Sequence, residues 1–101
     1  MQTGNLFTGF STPRKGETFE TLLSRKNLVI ERIVSSAELS PQKYQQVQDE
    51  WVALLKGTAI LEVDGKIIEL NTGDYLFLPA NTPHTVKWTS HGALWLAVHV
   101  Y

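Results

Sequence analysis

From residue 28 onward, apolar and polar residues tend to alternate at every second position, and the pattern predicts a succession of short β-strands. Residues 28–34 (L-V-I-E-R-I-V) are β-branched and strand-like. In residues 50–57 (E-W-V-A-L-L-K-G) alternation puts Glu50, Val52 and Leu54 on one face, with Gly57 available for positive φ at the corner. T-A-I-L-E-V and K-I-I-E-L flank Asp64-Gly65, the strongest short hairpin signal in the chain. A two-residue turn there predicts that Val63 faces Lys66, Leu61 faces Ile68 and Ala59 faces Leu70. Ile60, Glu62, Ile67 and Glu69 then lie on the other side, a mixed face suited to partial cover or an oligomer contact.

Y-L-F-L predicts a further strand, and P-A-N-T-P a tight connection to H-T-V-K-W. There His84 shares its face with Val86 and Trp88, while Thr85 and Lys87 point the other way. The last run, L-W-L-A-V-H-V-Y, is apolar on both faces and predicts a central strand. Upstream the pattern differs. Residues 1–16 are rich in Gly, Thr, Ser and Pro, with Leu6, Phe7 and Phe10 suited to a short edge strand. Phe19, Leu22 and Leu23 sit at helical spacing behind Glu17 and Glu20, which predicts a short helix over residues 17–25 ending at Asn27. Residues 35–49 are polar and Gln-rich and read as a long connection.

Many short strands with regular turn signals predict an all-β sandwich or barrel. A length of 101 residues suits one domain, with an arm and short helix over 1–27 and the barrel over 28–101. Composition narrows the chemistry. With no cysteine, disulfides, thiolate metal sites and a cysteine nucleophile are excluded. The net charge of −1 with scattered basic residues offers no footprint for nucleic acid. No apolar run approaches a membrane span, and the start lacks a basic segment followed by an apolar one, so the expected location is the cytoplasm. A G-x-S-x-G elbow, a P-loop, a dinucleotide fingerprint and H-E-x-x-H are all missing.

What remains is an acid and an imidazole, Glu50 and His84, each on the apolar side of its strand. Ionisable groups are costly inside a core unless paired, hydrogen-bonded or bound to metal, so the two suggest a built site. The structural alternatives are an ion pair of Glu50 with Arg32, and a His84 satisfied by a loop carbonyl. Trp88, on the face of His84, is a candidate pocket wall. His99 either looks into the cavity or caps the barrel end, and capping is the expectation; His91 reads as a solvated loop residue.

Around these residues the chain resembles the cupin superfamily, small jelly-roll barrels with two signature motifs. Residues 73–84 (G-D-Y-L-F-L-P-A-N-T-P-H) match the second motif, with Asn81 replacing its inner Gly and Trp88 replacing its final Asn. Asn tolerates positive φ better than other non-Gly residues. Glu50 to Gly57 matches the end of the first motif, whose His-x-His pair is replaced by Tyr44 and Gln46. The resemblance implies a cupin-like jelly-roll β-barrel in which the Glu50 and His84 strands are neighbours in one sheet and project inward.

It also implies a metal site in which only Glu50 and His84 carry over as strong ligands. Gln46 is a candidate amide-oxygen ligand, and Tyr44 a hydrogen-bonding phenol. A divalent metal (Zn, Mn, Fe or Ni) and metal-free acid–base chemistry both stay open, and no organic cofactor is expected. The reading is therefore a small-molecule site in the barrel formed by Gln46, Glu50, His84 and Trp88, serving an enzyme, a binding or sensing module, or a degenerate structural cupin. A homodimer is expected, its contact drawn from Ile60, Ile67 and Trp51.

Overall fold

The computed structural model describes residues 1–101 and contains nine β-strands and no helix. These are β1 (Glu17–Arg25), β2 (Leu28–Ser35), β3 (Lys43–Tyr44), β4 (Asp49–Lys56), β5 (Ala59–Val63), β6 (Lys66–Leu70), β7 (Tyr75–Leu78), β8 (His84–Thr89) and β9 (Ala93–Val100). They form two antiparallel sheets, ordered β1-β2-β9-β4-β7 and β3-β8-β5-β6. Consecutive strands change sheet where the chain turns a corner, the jelly-roll solution to burying one face of each sheet.

The Asp64-Gly65 hairpin forms with the predicted register: Val63 opposite Lys66, Leu61 opposite Ile68 and Ala59 opposite Leu70. Both turn residues have positive φ, 49° at Asp64 and 81° at Gly65. That is the backbone of a tight turn whose twist matches its strands. Asn81 adopts φ 63°, so it reproduces the glycine conformation it replaces. β9 is central in its sheet, between β2 and β4. Its inward residues Ala93, Trp95 and Ala97 join Ile33, Val52, Leu54, Ala59, Leu61 and Leu70 in the core.

Residues 17–25 form a strand, not the predicted helix. β1 pairs along its length with β2, from Glu17 opposite Ser35 to Arg25 opposite Leu28, with a bulge between Thr21 and Leu23. A nine-residue helix gains little by itself in water, whereas β2 offers a ready ladder of donors and acceptors. The bulge also accounts for the misleading spacing, because it breaks the two-residue period that would have marked a strand.

The arm has no strand at Leu6, Phe7 or Phe10. It is held instead by Arg32, which is 5% exposed and points away from Glu50. The Arg32 Nη1 donates to the carbonyls of Asn5, Leu6 and Thr8 at 3.1, 3.2 and 2.8 Å, and Nε donates to Glu20 Oε1 at 3.0 Å. Its guanidinium carbon lies 4.8 Å from the centre of the Phe10 ring. The expected alternative of an Arg32–Glu50 ion pair is therefore absent.

Candidate functional site

Glu50 comes from β4 and His84 from β8, so the two lie on opposite sheets and face each other across the interior. This corrects the expectation that their strands are sheet neighbours. β4 pairs with β7 and β9, and β8 with β3 and β5. Both side chains are buried, and they line one cavity of about 80 Å³ together with Gln46, Tyr44 and His99. Val52, Leu61, Leu78 and Val86 supply apolar wall. Phe19 also lines the cavity and is 56% exposed, which marks the side open to solvent.

His84 Nε2 stands 4.0 Å from Glu50 Oε1, too far for a hydrogen bond. Glu50 Oε1 is buried and has no hydrogen-bond partner. The other ring nitrogen of His84, Nδ1, lies 3.1 Å from the carbonyl oxygen of Thr82. A carbonyl only accepts, so Nδ1 carries the proton, and in the uncharged form of the ring Nε2 presents a lone pair toward Glu50. The Tyr44 ring stacks on His84 with centroids 5.7 Å apart, where β3 pairs Tyr44 with His84. Burial pushes the Glu50 pKa up; His99 and His84 pull it down, Glu31 raises it and the Gln46 amide lowers it.

His99 faces the cavity rather than capping the barrel. Glu31, from the inward side of β2, lies 2.8 Å from its Nε2, and the Gln48 amide nitrogen lies 3.1 Å from its Nδ1. With that amide donating to Nδ1, the Nε2–H donates to Glu31 and no lone pair of His99 is left for a ligand. Glu17 is a third acid on the cavity wall. Burial raises its pKa against a hydrogen bond donated by the Ser35 hydroxyl, which in turn accepts from Trp95 Nε1 at 3.0 Å. Tyr44 is also raised, by burial and then by the Glu17 charge.

Glu31 and Glu17 were not legible as site residues. Glu31 had one usable signal: in a strand covered on both faces, adjacent Glu31 and Arg32 must send one charge inward. Glu17 had none, because its strand read as a helix. Trp88, by contrast, is 45% exposed and does not line the cavity. A bulge shifts the β5–β8 register between Ile60 and Leu61, so Val86 opposes Leu61 while Trp88 opposes the outward Ile60. The extra residue turns Trp88 away from the face of His84. His91 Nδ1 accepts from the Ala37 backbone N–H at 3.3 Å, and it takes no part in the cavity.

A sequence profile of the cupin domain family matches residues 30–100, and the chain belongs to that family. A solved protein from Ralstonia eutropha JMP134, provisionally named a mannose-6-phosphate isomerase, is 37% identical and superposes with a TM-score of 0.88. The match covers 99% of this chain and 98% of that one. A cupin superfamily protein of Desulfitobacterium hafniense DCB-2 shares the fold at 16% identity and a TM-score of 0.79, over 90% of this chain and 83% of that one. Quercetin 2,3-dioxygenase of Bacillus subtilis (strain 168) is 40% identical over 48 residues, 48% of this chain; the match spans 14% of that enzyme.

The resemblance implies a divalent metal, and the donors present can be tested against one. Glu50 and His84 each offer a free atom, but His99 is committed to Glu31 and the motif histidines are Tyr44 and Gln46. No group of three or more His, Cys, Asp or Glu side chains is arranged to hold a metal ion. Two strong donors fall short of the three that transition-metal sites ordinarily take from the protein. The residues therefore do not fit a resident Zn, Mn, Fe or Ni ion.

Proposed function

We propose that the protein binds a small polar molecule inside the barrel, between Glu50 and His84, with Gln46 beside them. Glu50 is the group that accepts a hydrogen bond or a proton from the bound molecule, and His84, held by Thr82, is the second acceptor that orients it. The observation that carries this reading is the 4.0 Å separation between Glu50 Oε1, buried without a partner, and His84 Nε2. A buried carboxylate oxygen left alone costs on the order of 1–3 kcal/mol or more. A bridging molecule removes that cost. A volume of about 80 Å³ is small beside the roughly 300–1,000 Å³ of pockets for drug-sized ligands. The ligand is accordingly a few heavy atoms, or one end of a larger molecule entering past Phe19.

The test is a thermal-shift screen of small metabolites against the wild type, Glu50→Gln and His84→Ala. Compounds that stabilise the wild type should lose their effect in both variants. Each is then incubated in D2O and recovered: deuterium incorporation or conversion marks an enzyme, and unchanged recovery marks a binding module. Stabilisers that act equally on all three proteins would sink the reading. We also propose a homodimer, supported by the exposed aromatic face of Trp51, Tyr75 and Phe77.

A further inference from the structure

Resting on the reading of the Glu50–His84 pair as a binding site, the geometry points to a small primary ammonium, the cationic end of an amine, as the group the site takes. With His84 uncharged, both atoms that face each other across the 4.0 Å gap are acceptors. Glu50 Oε1 is a carboxylate oxygen without a donor, and in the uncharged His84 ring, with Nδ1–H spent on Thr82, Nε2 is a lone pair. Water can bridge two acceptors, and a ligand that displaces it must bring the same two donors. A hydroxyl brings one and a phosphate or carboxylate none. A primary ammonium brings three, and its positive charge strengthens each bond to a carboxylate.

The rest of the wall agrees. Three acids, Glu17 on β1, Glu31 on β2 and Glu50 on β4, line the cavity, and no Lys or Arg does. Arg32, the nearest buried cation in sequence, is turned outward and engaged by Glu20 and the arm. A phosphorylated sugar, the substrate class in the name of the Ralstonia relative, would meet these acids with no Lys or Arg to pair its phosphate. Val52, Leu61, Leu78 and Val86 on the same wall suit a short alkyl stem.

The experiment titrates the full chain at constant ionic strength by 1H–15N NMR. Propylammonium, tetramethylammonium, glycerol, mannose 6-phosphate and Zn²⁺ are used in turn as probes. Propylammonium should shift amides around Glu50 and His84 with saturation. Tetramethylammonium, equally charged but without N–H donors, should bind at least about tenfold more weakly, the loss of roughly 1.4 kcal/mol. Glu50→Gln and His84→Phe should each weaken propylammonium by a similar factor, their spectra showing that they fold. Affinity should rise with pH, because the groups facing the ammonium (Glu17, Glu31, Glu50, Tyr44, His84 and His99) all become more negative or less positive as they lose protons.

If glycerol, mannose 6-phosphate or Zn²⁺ binds better than propylammonium, and does so through Glu50 and His84, the ammonium assignment falls while the site stands. Propylammonium binding that survives both substitutions, or no binding by any probe, overturns the assignment and the site together.

Discussion

Glu50 illustrates what burial does to a carboxylate with one oxygen, Oε1, left without a hydrogen-bond partner. Its pKa is raised above the usual 4.5, chiefly by desolvation, so the native state holds the proton more tightly than the unfolded chain. The associated stability is complete below the ordinary carboxyl pKa and is lost as pH rises through the raised value. Glu50→Gln removes that titration. In denaturant titrations from about pH 4 to about pH 8, the variant should gain stability relative to the wild type as pH rises. A difference that stays flat with pH would mean that Glu50 is not the titrating group. Glu17 is raised by burial too, so some slope should persist in Glu50→Gln and disappear in the double variant with Glu17→Gln.

Gly57 carries a different kind of local demand. Its φ is +99°, and a Cβ there would meet the Ser90 hydroxyl at 2.5 Å and the Ala93 Cα at 3.2 Å. Gly57→Ala should therefore cost about 1–3 kcal/mol from backbone strain, with displacement of Ser90 added to it. Chemical denaturation measures the cost, and an unchanged midpoint would contradict it.

Among the elements, the β5–β6 hairpin and β1 mark the two limits of legibility. The hairpin could be read to the residue because Asp64-Gly65 sets the turn and the turn sets the register. β1 could not, because its bulge scrambles the strand period and its pairing with β2 is a contact no window of sequence contains. The β8 bulge had the same effect on a single residue and cost Trp88 its predicted place.

Arg32 ties the arm to the outer face of β2 through three carbonyls and Glu20. Replacing it with Met keeps the stem and removes the donors. Arg32→Met should destabilise the protein by about 1.5–3 kcal/mol and expose residues 1–16 to limited proteolysis while the barrel resists. An arm that stays protected would show that Phe10 and the backbone contacts of Gly16 with Ser36 and Glu38 suffice.

On the scale of the whole molecule, the two sheets leave apolar surface on their outer faces. Trp51 pairs in register with Phe77, and its ring lies 5.6 Å from that of Tyr75, with Phe77 55% and Tyr75 67% exposed. Ile67 and Trp88 are exposed on the other sheet, so the expected grouping of Trp51 with Ile60 and Ile67 divides into two patches. The aromatic one is expected to pair two copies. Sedimentation analysis should show a dimer that Trp51→Glu or Phe77→Glu converts to a monomer; a wild-type monomer, or variants that remain dimeric, would refute this contact.

By itself the sequence determined whatever depends on neighbours in the chain. Turn residues set the corners at Gly57, Asp64-Gly65 and Asn81, and two-residue alternation sent Glu50 and His84 inward. The tertiary structure decided which inward groups meet. Glu50 and His84 face each other because their sheets pack face to face, not because their strands adjoin. Glu31 takes up His99 because β2 and β9 are hydrogen-bonded side by side, leaving Glu50 Oε1 and His84 Nε2 to face each other at 4.0 Å with no hydrogen bond between them. Pairing between distant strands and the bulges that offset it arise from whole-chain packing, and the chemistry of this site rests on them.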